Sequence, residues 1–155
     1  TFTLYGTRCG AMICIAKTPD IAEEFKVVCE YSSRGSWSNS AKLAQVILSR
    51  IYGDKELLEK VNEERARYRN MLLQRGRAFT EEAKKAGLVT VPFDAGFFVS
   101  IPCKDPDGLS AELEKEGVFI VPLAKGLRVS VASISEEKCR RLPALIKAAM
   151  DKKAE

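Results

Sequence analysis

The amino-acid sequence predicts an α/β protein whose C-terminal lobe is of the α+β type. Apolar residues at helical spacing run through most of residues 18–86, and four short strand-like segments follow between residues 89 and 132. The order is one strand, three helices and then a β-rich part closed by a helix. This order indicates two lobes joined through a long helix.

The composition is that of an ordinary globular protein. The chain has 155 residues, of which 46% are hydrophobic and 30% are charged, which suffices for one large domain or two small lobes. No apolar run approaches the roughly 20 residues of a membrane span, and the apolar start lacks a basic region and a cleavage pattern. We therefore expect a soluble, non-secreted, cytoplasmic protein without a membrane partner.

The types of residue present narrow the possible chemistry. The chain has no histidine, which excludes Ser-His and Cys-His nucleophilic sites and most zinc catalysis, so no metal site is predicted. The five cysteines are widely spaced, which is typical of buried reduced thiols. The basic stretch from Arg65 to Arg77 is flanked by glutamates, so a solvated helix face is favoured over a nucleic-acid site.

Elements of the first half follow from local patterns. Nearly continuous apolar sequence predicts a buried strand over residues 4–16. Thr18-Pro19-Asp20 predicts a helix start, and the small polar residues of Tyr31–Ser40 predict a break around the lone tryptophan. Helical spacing resumes over Ala41–Tyr52. It continues in a long helix from about Lys55 to Ala86.

Two residues are expected to distort helices. Gly76 lies inside the long helix and predicts a bend. Pro143 lies inside a last helix that starts at Ser135 and is expected to bend or split it.

The second half reads as strands with one intervening helix. The strands are predicted at Val89–Phe93, Gly96–Ile101, Val118–Val121 and Leu127–Ala132, and the helix lies around Gly108–Gly117.

Three arginines lie where a strand or contact loop is expected: Arg8 in YGTRCG, Arg34 in SSRGSWSN and Arg128 in KGLRVSVAS. Arginine offers paired donors that suit carboxylate and phosphate groups. Each arginine alone is more often structural, but three in such settings favour an anion-binding protein. Strand alternation places Arg128 opposite the apolar face of its strand, where a ligand carboxylate would be the natural partner.

The opening TFTLYGTRCGAMI resembles the segment that follows the cofactor lysine in class I aminotransferases of fold type I, the aspartate and aromatic aminotransferase group. Members of this group have Ser-x-Ser-Lys, a few residues, and then Tyr-x-x-Arg-x-Gly. The resemblance implies that Arg8 binds the phosphate of pyridoxal 5'-phosphate. It also implies that the Schiff-base lysine would directly precede Thr1, so the chain by itself is expected to be inactive.

Three further motifs carry the resemblance over essentially all of the chain. SRGSWSN resembles the loop whose arginine reaches the neighbouring subunit's active site, which implies that Arg34, Trp37 and Asn39 bind substrate. Asp94–Phe98 resembles a Gly-x-Phe segment whose second aromatic, here Phe98, lines the substrate pocket. Gly126–Ala132 is similar to the motif whose arginine, here Arg128, clamps the substrate α-carboxylate. Ser40 departs from the proline that family members commonly have after Trp-Ser-Asn.

The family also implies an organisation and partners. Residues 1–67 would be the end of the large pyridoxal phosphate-binding domain, and residues 68–155 would be the small C-terminal domain. The substrates would be an amino acid, aspartate or aromatic, and a 2-oxo acid such as 2-oxoglutarate, and the enzyme would be a homodimer.

Two alternatives remain open from the sequence. One is another fold type I enzyme, such as a lyase or synthase, that uses the same arginines. The other is a non-catalytic α/β interaction module with a basic helix.

Overall fold

The computed structural model describes residues 5–153 and forms two compact units, Thr1–Arg65 and Ala66–Glu155. Each unit has its own set of secondary-structure elements. The long helix α3, Lys55–Lys85, begins in the first unit and continues into the second.

The first unit is helical. After a 3-10 turn at Tyr5–Thr7 it contains α1, Pro19–Ser36, and α2, Lys42–Gly53. The Thr18 hydroxyl accepts a hydrogen bond from the Ile21 backbone N–H at the start of α1, and Pro19 takes the first helical position. This confirms the helix start that the sequence predicts, because the cap supplies an acceptor for an otherwise unpaired backbone donor.

The predicted strand over residues 4–16 is wrong within the described residues, and Leu4 lies outside them. Residues 8–16 contain no strand, and the Ile13 and Ile15 side chains are 83% and 99% exposed. A central strand needs neighbouring strands to pair its backbone groups. The described residues place none beside this segment, so its apolar sequence alone does not make it a strand.

The predicted break at Tyr31–Ser40 is also wrong over its first part, because α1 continues to Ser36. The helix ends where the backbone N–H groups of Trp37 and Ser38 both donate to the Ser33 carbonyl oxygen, each at 2.9 Å. Ser38 then takes a left-handed backbone conformation with φ 66°. Serine lowers helix stability only slightly per residue, so a few serines do not end a helix that is otherwise well formed.

The second unit contains a small antiparallel sheet and two further helices. In chain order these are β1, Phe98–Pro102; α4, Pro106–Lys115; β2, Val121–Leu123; β3, Gly126–Ser130; and α5, Glu136–Lys152. The strand order is β1-β3-β2. Because β3 is the central strand, it pairs with both β1 and β2. The two ladders fix its register and therefore the position of Arg128 in the sheet.

No strand forms at Val89–Phe93, although one was predicted there. A single ladder-like hydrogen bond joins the Val91 N–H to the Ser100 carbonyl at 2.9 Å. Pro92 has no N–H to donate, so the pairing does not extend along the segment.

The core of the second unit lies on one face of the sheet. Its largest fully buried side chains come from α3, from the sheet, from the residue directly after β3 and from the helices α4 and α5: Phe79, Ile101, Leu113, Leu127, Ile146, Val99 and Val131. The helix α5 runs unbroken through Pro143, so the helix does not split. Pro143 is itself fully buried, and the packing of this face outweighs the one backbone hydrogen bond that a proline removes.

All five cysteines are free. Cys139 is buried while Cys14 is exposed, so the expectation of uniformly buried thiols is wrong. Burial raises the pKa of the Cys139 thiol, which disfavours its reactive thiolate form.

Candidate functional site

Arg128 lies in the middle of the central strand β3. Its Cα is in register with Ser100 of β1 and with Val121 of β2. Along β3 the buried residues Leu127 and Val129 alternate with the partly exposed Arg128 and Ser130. The predicted alternation is therefore confirmed, and Arg128 lies on the face of the sheet opposite the core.

The guanidinium group of Arg128 stacks on the ring of Phe98. The Arg128 Cζ atom lies 4.6 Å from the ring centroid. Phe98 pairs with Ser130 across the β1-β3 ladder, so it is the diagonal neighbour of Arg128 on the same face. This cation-π contact holds the guanidinium group over the Phe98 ring on this face of the sheet.

One donor of this guanidinium group is unsatisfied. The Arg128 Nε atom is buried and has no hydrogen-bond partner among the described residues. A buried charged donor without an acceptor costs free energy, so such groups normally have a partner in the functional state. An anion bound beside Phe98 would provide that partner.

A cavity of about 460 Å³ adjoins Arg128 within the second unit. Its charged lining residues are Arg128 of β3, Lys138 and Arg141 of α5, and Glu116 after α4. Apolar side chains complete the wall, among them Val121 and Leu142. The volume is in the range of pockets for small molecules, and the three cationic side chains outnumber the one carboxylate, which favours an anionic ligand.

The position of Phe98 at the start of β1 depends on the segment that precedes this strand. Gly96 there has φ 128°, a conformation that residues with a side chain rarely adopt. The rings of Phe97 and Phe98 then pack edge to face, with their centroids 6.3 Å apart. The sharp turn at Gly96 brings the chain into β1 so that Phe98 shares a face with Arg128.

Arg34, Trp37 and Asn39 lie together at the C-terminal end of α1 in the first unit. Arg34 is exposed, and its Nη1 atom donates to the Ser38 hydroxyl at 2.7 Å. The Asn39 Oδ1 atom accepts from the Ser40 N–H at 3.0 Å, while Trp37 is 84% exposed. The structure therefore presents an arginine and an indole on one exposed turn.

Arg8 lies in the first unit, directly after the turn Tyr5–Thr7. It is exposed, its backbone has φ 50°, and its Cζ atom lies 4.8 Å from the centroid of the Tyr5 ring. Among residues 5–153 no carboxylate pairs with it. Its N–H groups therefore remain available to an anion such as a phosphate group.

The site residues form three local groups. Arg128 and Phe98 are in direct contact, the Arg34 turn holds three residues, and Arg8 stacks on Tyr5. The part of the chain that is described contains no cluster of three metal-ligating side chains. None of its helices is long and apolar enough to cross a bilayer.

Arg75 of α3 is a further residue near the site that the sequence patterns did not indicate, and its Nη1 atom donates to the Ala132 carbonyl at 3.0 Å. Ala132 comes two residues after β3 ends. The signal available in the sequence was an arginine directly before the small residue Gly76 inside an apolar helix face. That pattern does not reveal which carbonyl the arginine reaches.

The fold and the family of this chain are shared with known proteins. The structure superimposes on an aminotransferase from Anaerococcus prevotii with a TM-score of 0.90 and 35% sequence identity, over 96% of this chain and 36% of that one. It has the fold of the fold type I aminotransferases, as the sequence predicted. The model of the family "Aminotransferase class I and II" matches residues 1–146, and the chain belongs to this family.

Other solved structures are similar at lower identity. An aspartate aminotransferase of Thermus thermophilus, complexed with tryptophan, has 26% identity and a TM-score of 0.56, with 77% of this chain and 32% of that chain covered. A Pyrococcus horikoshii kynurenine aminotransferase shares the fold at 15% identity and a TM-score of 0.68, over 88% of this chain and 36% of that one. Among curated proteins none matches. The chain thus spans about a third of the length of the structures that it matches.

Proposed function

We propose that the whole protein is a pyridoxal 5'-phosphate-dependent aminotransferase that moves an amino group between an amino acid and a 2-oxo acid such as 2-oxoglutarate. The observation that carries the proposal is the buried, unpaired Nε of Arg128 beside the Phe98 ring. Family membership and the 35% identity to an aminotransferase support it.

The role of Arg128 is to hold the α-carboxylate that every amino acid and 2-oxo acid substrate has in common. A carboxylate accepts two parallel hydrogen bonds from one guanidinium edge, which fixes the orientation as well as the position of the substrate. Phe98 keeps the guanidinium plane in place and forms an apolar wall for the substrate. The Cα–H bond then has a fixed direction when its proton is removed.

The cofactor is implied by the family, and the residues present fit its phosphate group. Arg8 is exposed, has no carboxylate partner among the described residues and presents several N–H donors. We assign it the phosphate of pyridoxal phosphate. When bound, this cofactor supplies an electron sink for the electrons of the broken Cα–H bond.

Arg34 is proposed to bind a second carboxylate in dicarboxylic substrates, from the partner subunit of a homodimer. Its exposed guanidinium group hydrogen-bonds only to Ser38 among the described residues, so it retains free donors. Trp37 and Asn39 on the same turn would contact the same substrate. On this proposal the substrates include aspartate, glutamate or 2-oxoglutarate, the site is completed by dimerisation, and the enzyme acts in the cytoplasm.

The Arg128→Lys variant of the full-length protein tests the proposal. Lysine keeps the charge but loses the paired donors. Loss of one charge-assisted pair corresponds to about 2 kcal/mol, or about thirtyfold in KM, for both the amino acid and the 2-oxo acid.

The matched control is Arg77→Lys, because Arg77 is an exposed arginine of α3. We expect its KM values to equal those of the wild type. Unchanged KM values in Arg128→Lys, measured by steady-state kinetics, would contradict the role of Arg128.

A further inference from the structure

Two consecutive residues of α3 contact the two segments that carry the Arg128–Phe98 pair. Arg75 is partly buried and donates from Nη1 to the carbonyl of Ala132, at the end of the β3 segment that carries Arg128. Gly76 is buried and lies against the ring of Phe93, in the segment that leads into β1 and Phe98. One turn of helix therefore touches both segments.

Gly76 has no room for a side chain. A Cβ atom added there would lie 2.9 Å from the Phe93 Cζ atom and closer still to Cε1. Carbon atoms in contact normally stay about 3.5–4.0 Å apart, so the ring would have to move. The helix α3 continues through Gly76. The absence of a side chain at this position therefore lets the Phe93 ring pack against the helix backbone.

The other edge of the Phe93 ring faces Gly96. Its Cε2 atom lies 3.9 Å from where a Cβ atom of Gly96 would be, and Gly96 itself adopts φ 128°. The ring therefore lies between the α3 backbone and the turn that precedes β1. A ring pushed away from Gly76 would move toward Gly96, and Phe98 follows two residues later.

Arg75 contacts the segment that follows β3. The backbone N–H of Val131 donates to the Phe97 carbonyl at 3.0 Å, so the two segments are tied to each other at this point. The hydrogen bond from Arg75 to Ala132 lies one residue further along. It satisfies a carbonyl beyond the end of the ladder and limits movement of the chain that follows Ser130.

We propose that Arg75 and Gly76 are positioning residues for substrate binding, since they hold β3 and β1 so that Arg128 stacks on Phe98. This inference rests on the proposed function, in which Arg128 binds the substrate carboxylate. Neither residue is required to touch the substrate. A small displacement of a binding group weakens binding strongly, because paired hydrogen bonds depend on geometry.

The test uses the full-length protein with Arg75→Met and Gly76→Ala. Methionine keeps much of the apolar stem of Arg75 but removes the donor. We expect the KM for the 2-oxo acid to rise about tenfold in each variant, with kcat changed less. Arg77→Met and Gly53→Ala are the controls, because Arg77 is exposed and a Cβ atom at Gly53 meets nothing within 4 Å.

Second variants separate positioning from general loss of structure. Phe93→Leu added to Gly76→Ala removes the ring atoms that clash, so the KM should return toward the wild-type value. Arg75→Lys keeps a donor and should raise KM less than Arg75→Met does. Absence of both rescues, with KM values that merely follow the loss of thermal stability, would overturn the proposal.

A crystal structure of Gly76→Ala or Arg75→Met tests, independently of activity, whether these residues hold Arg128 against Phe98. We expect the distance from Arg128 Cζ to the Phe98 centroid to exceed about 6 Å, the limit of a cation-π contact. Retention of the wild-type stacking in both variants would refute the positioning role. If instead Arg128→Lys leaves KM unchanged while these variants lose the contact, the role of Arg128 in substrate binding fails, and what stands is only that Arg75 and Gly76 hold Arg128 against Phe98.

Discussion

At the scale of single residues, the chemistry of Arg128 follows from its position in the sheet. It lies on a strand whose other face is apolar and buried, so its long side chain must leave the sheet on the opposite side. There the guanidinium group lies over the Phe98 ring, and the buried Nε has no acceptor among the described residues. The residue is held in place before any ligand arrives, which lowers the entropic cost of binding a carboxylate.

Arg34 provides the prediction about substrate choice. In the full-length protein, Arg34→Leu should lower kcat/KM for aspartate far more than for an aromatic amino acid, by about tenfold or more, because only aspartate has a second carboxylate. Steady-state kinetics with both donors measures the ratio. Arg50→Leu, at an exposed arginine of α2, is the control.

Equal losses for the two donors would contradict a role of Arg34 in binding the side-chain carboxylate. A loss confined to the aromatic donor would contradict it as well.

Gly76 shows what the sequence could not give at this scale. A glycine inside a helical pattern indicates either a bend or a close contact. The close contact is made with Phe93, which is seventeen positions away in the sequence and lies beside Gly76 only in the folded protein. Local spacing carries no information about that contact.

At the scale of elements, helix starts were predicted well because their signals are local. Thr18 and Ser135 each accept a hydrogen bond from the backbone N–H three residues later, as their positions before the two helices suggested. The strand predicted over residues 4–16 was wrong because a strand depends on its neighbours in space. The serines of α1 were misinterpreted for a related reason: their low helix propensity is a weak local effect.

The helix α4 gives a prediction about pH. The hydrogen bond from Lys153 Nζ at 2.6 Å, and then the one from the Gly108 backbone N–H at 3.0 Å, lower the pKa of Asp105. A carboxyl with a lowered folded-state pKa stabilises the fold above its unfolded value, about 3.9, and loses this contribution as the pH falls through the folded value. The stabilisation is therefore constant near neutral pH.

The variant Asp105→Asn tests this sign. Its free energy of unfolding should lie below that of the wild type by a constant amount above about pH 5, and the difference should shrink below about pH 4. Urea unfolding at several pH values measures the difference. Asp94→Asn, at an exposed aspartate outside the helices, serves as the control. A difference that stays constant down to about pH 2 would show that the charge of Asp105 does not contribute.

At the scale of the whole molecule, the family was predictable from the sequence because its motifs are short and keep their order. The fold class and the family are confirmed by the match over residues 1–146 and by the superposition on the Anaerococcus prevotii enzyme. The site residues stay a prediction. Arg128 and Phe98 are in contact within the second unit. Arg8 and Arg34 lie in the first unit, and they are proposed to bind the cofactor phosphate and the second carboxylate of the substrate.

The measurement that tests the central claim most directly follows the amino group itself. The full-length protein is incubated with pyridoxal phosphate, an amino acid labelled with heavy nitrogen, and an unlabelled 2-oxo acid. We predict that the label appears on the newly formed amino acid, in an amount equal to the 2-oxo acid made from the donor, because transamination conserves the amino nitrogen. Release of the label as ammonia, or no movement of the label to the acceptor, would contradict the assignment of an aminotransferase.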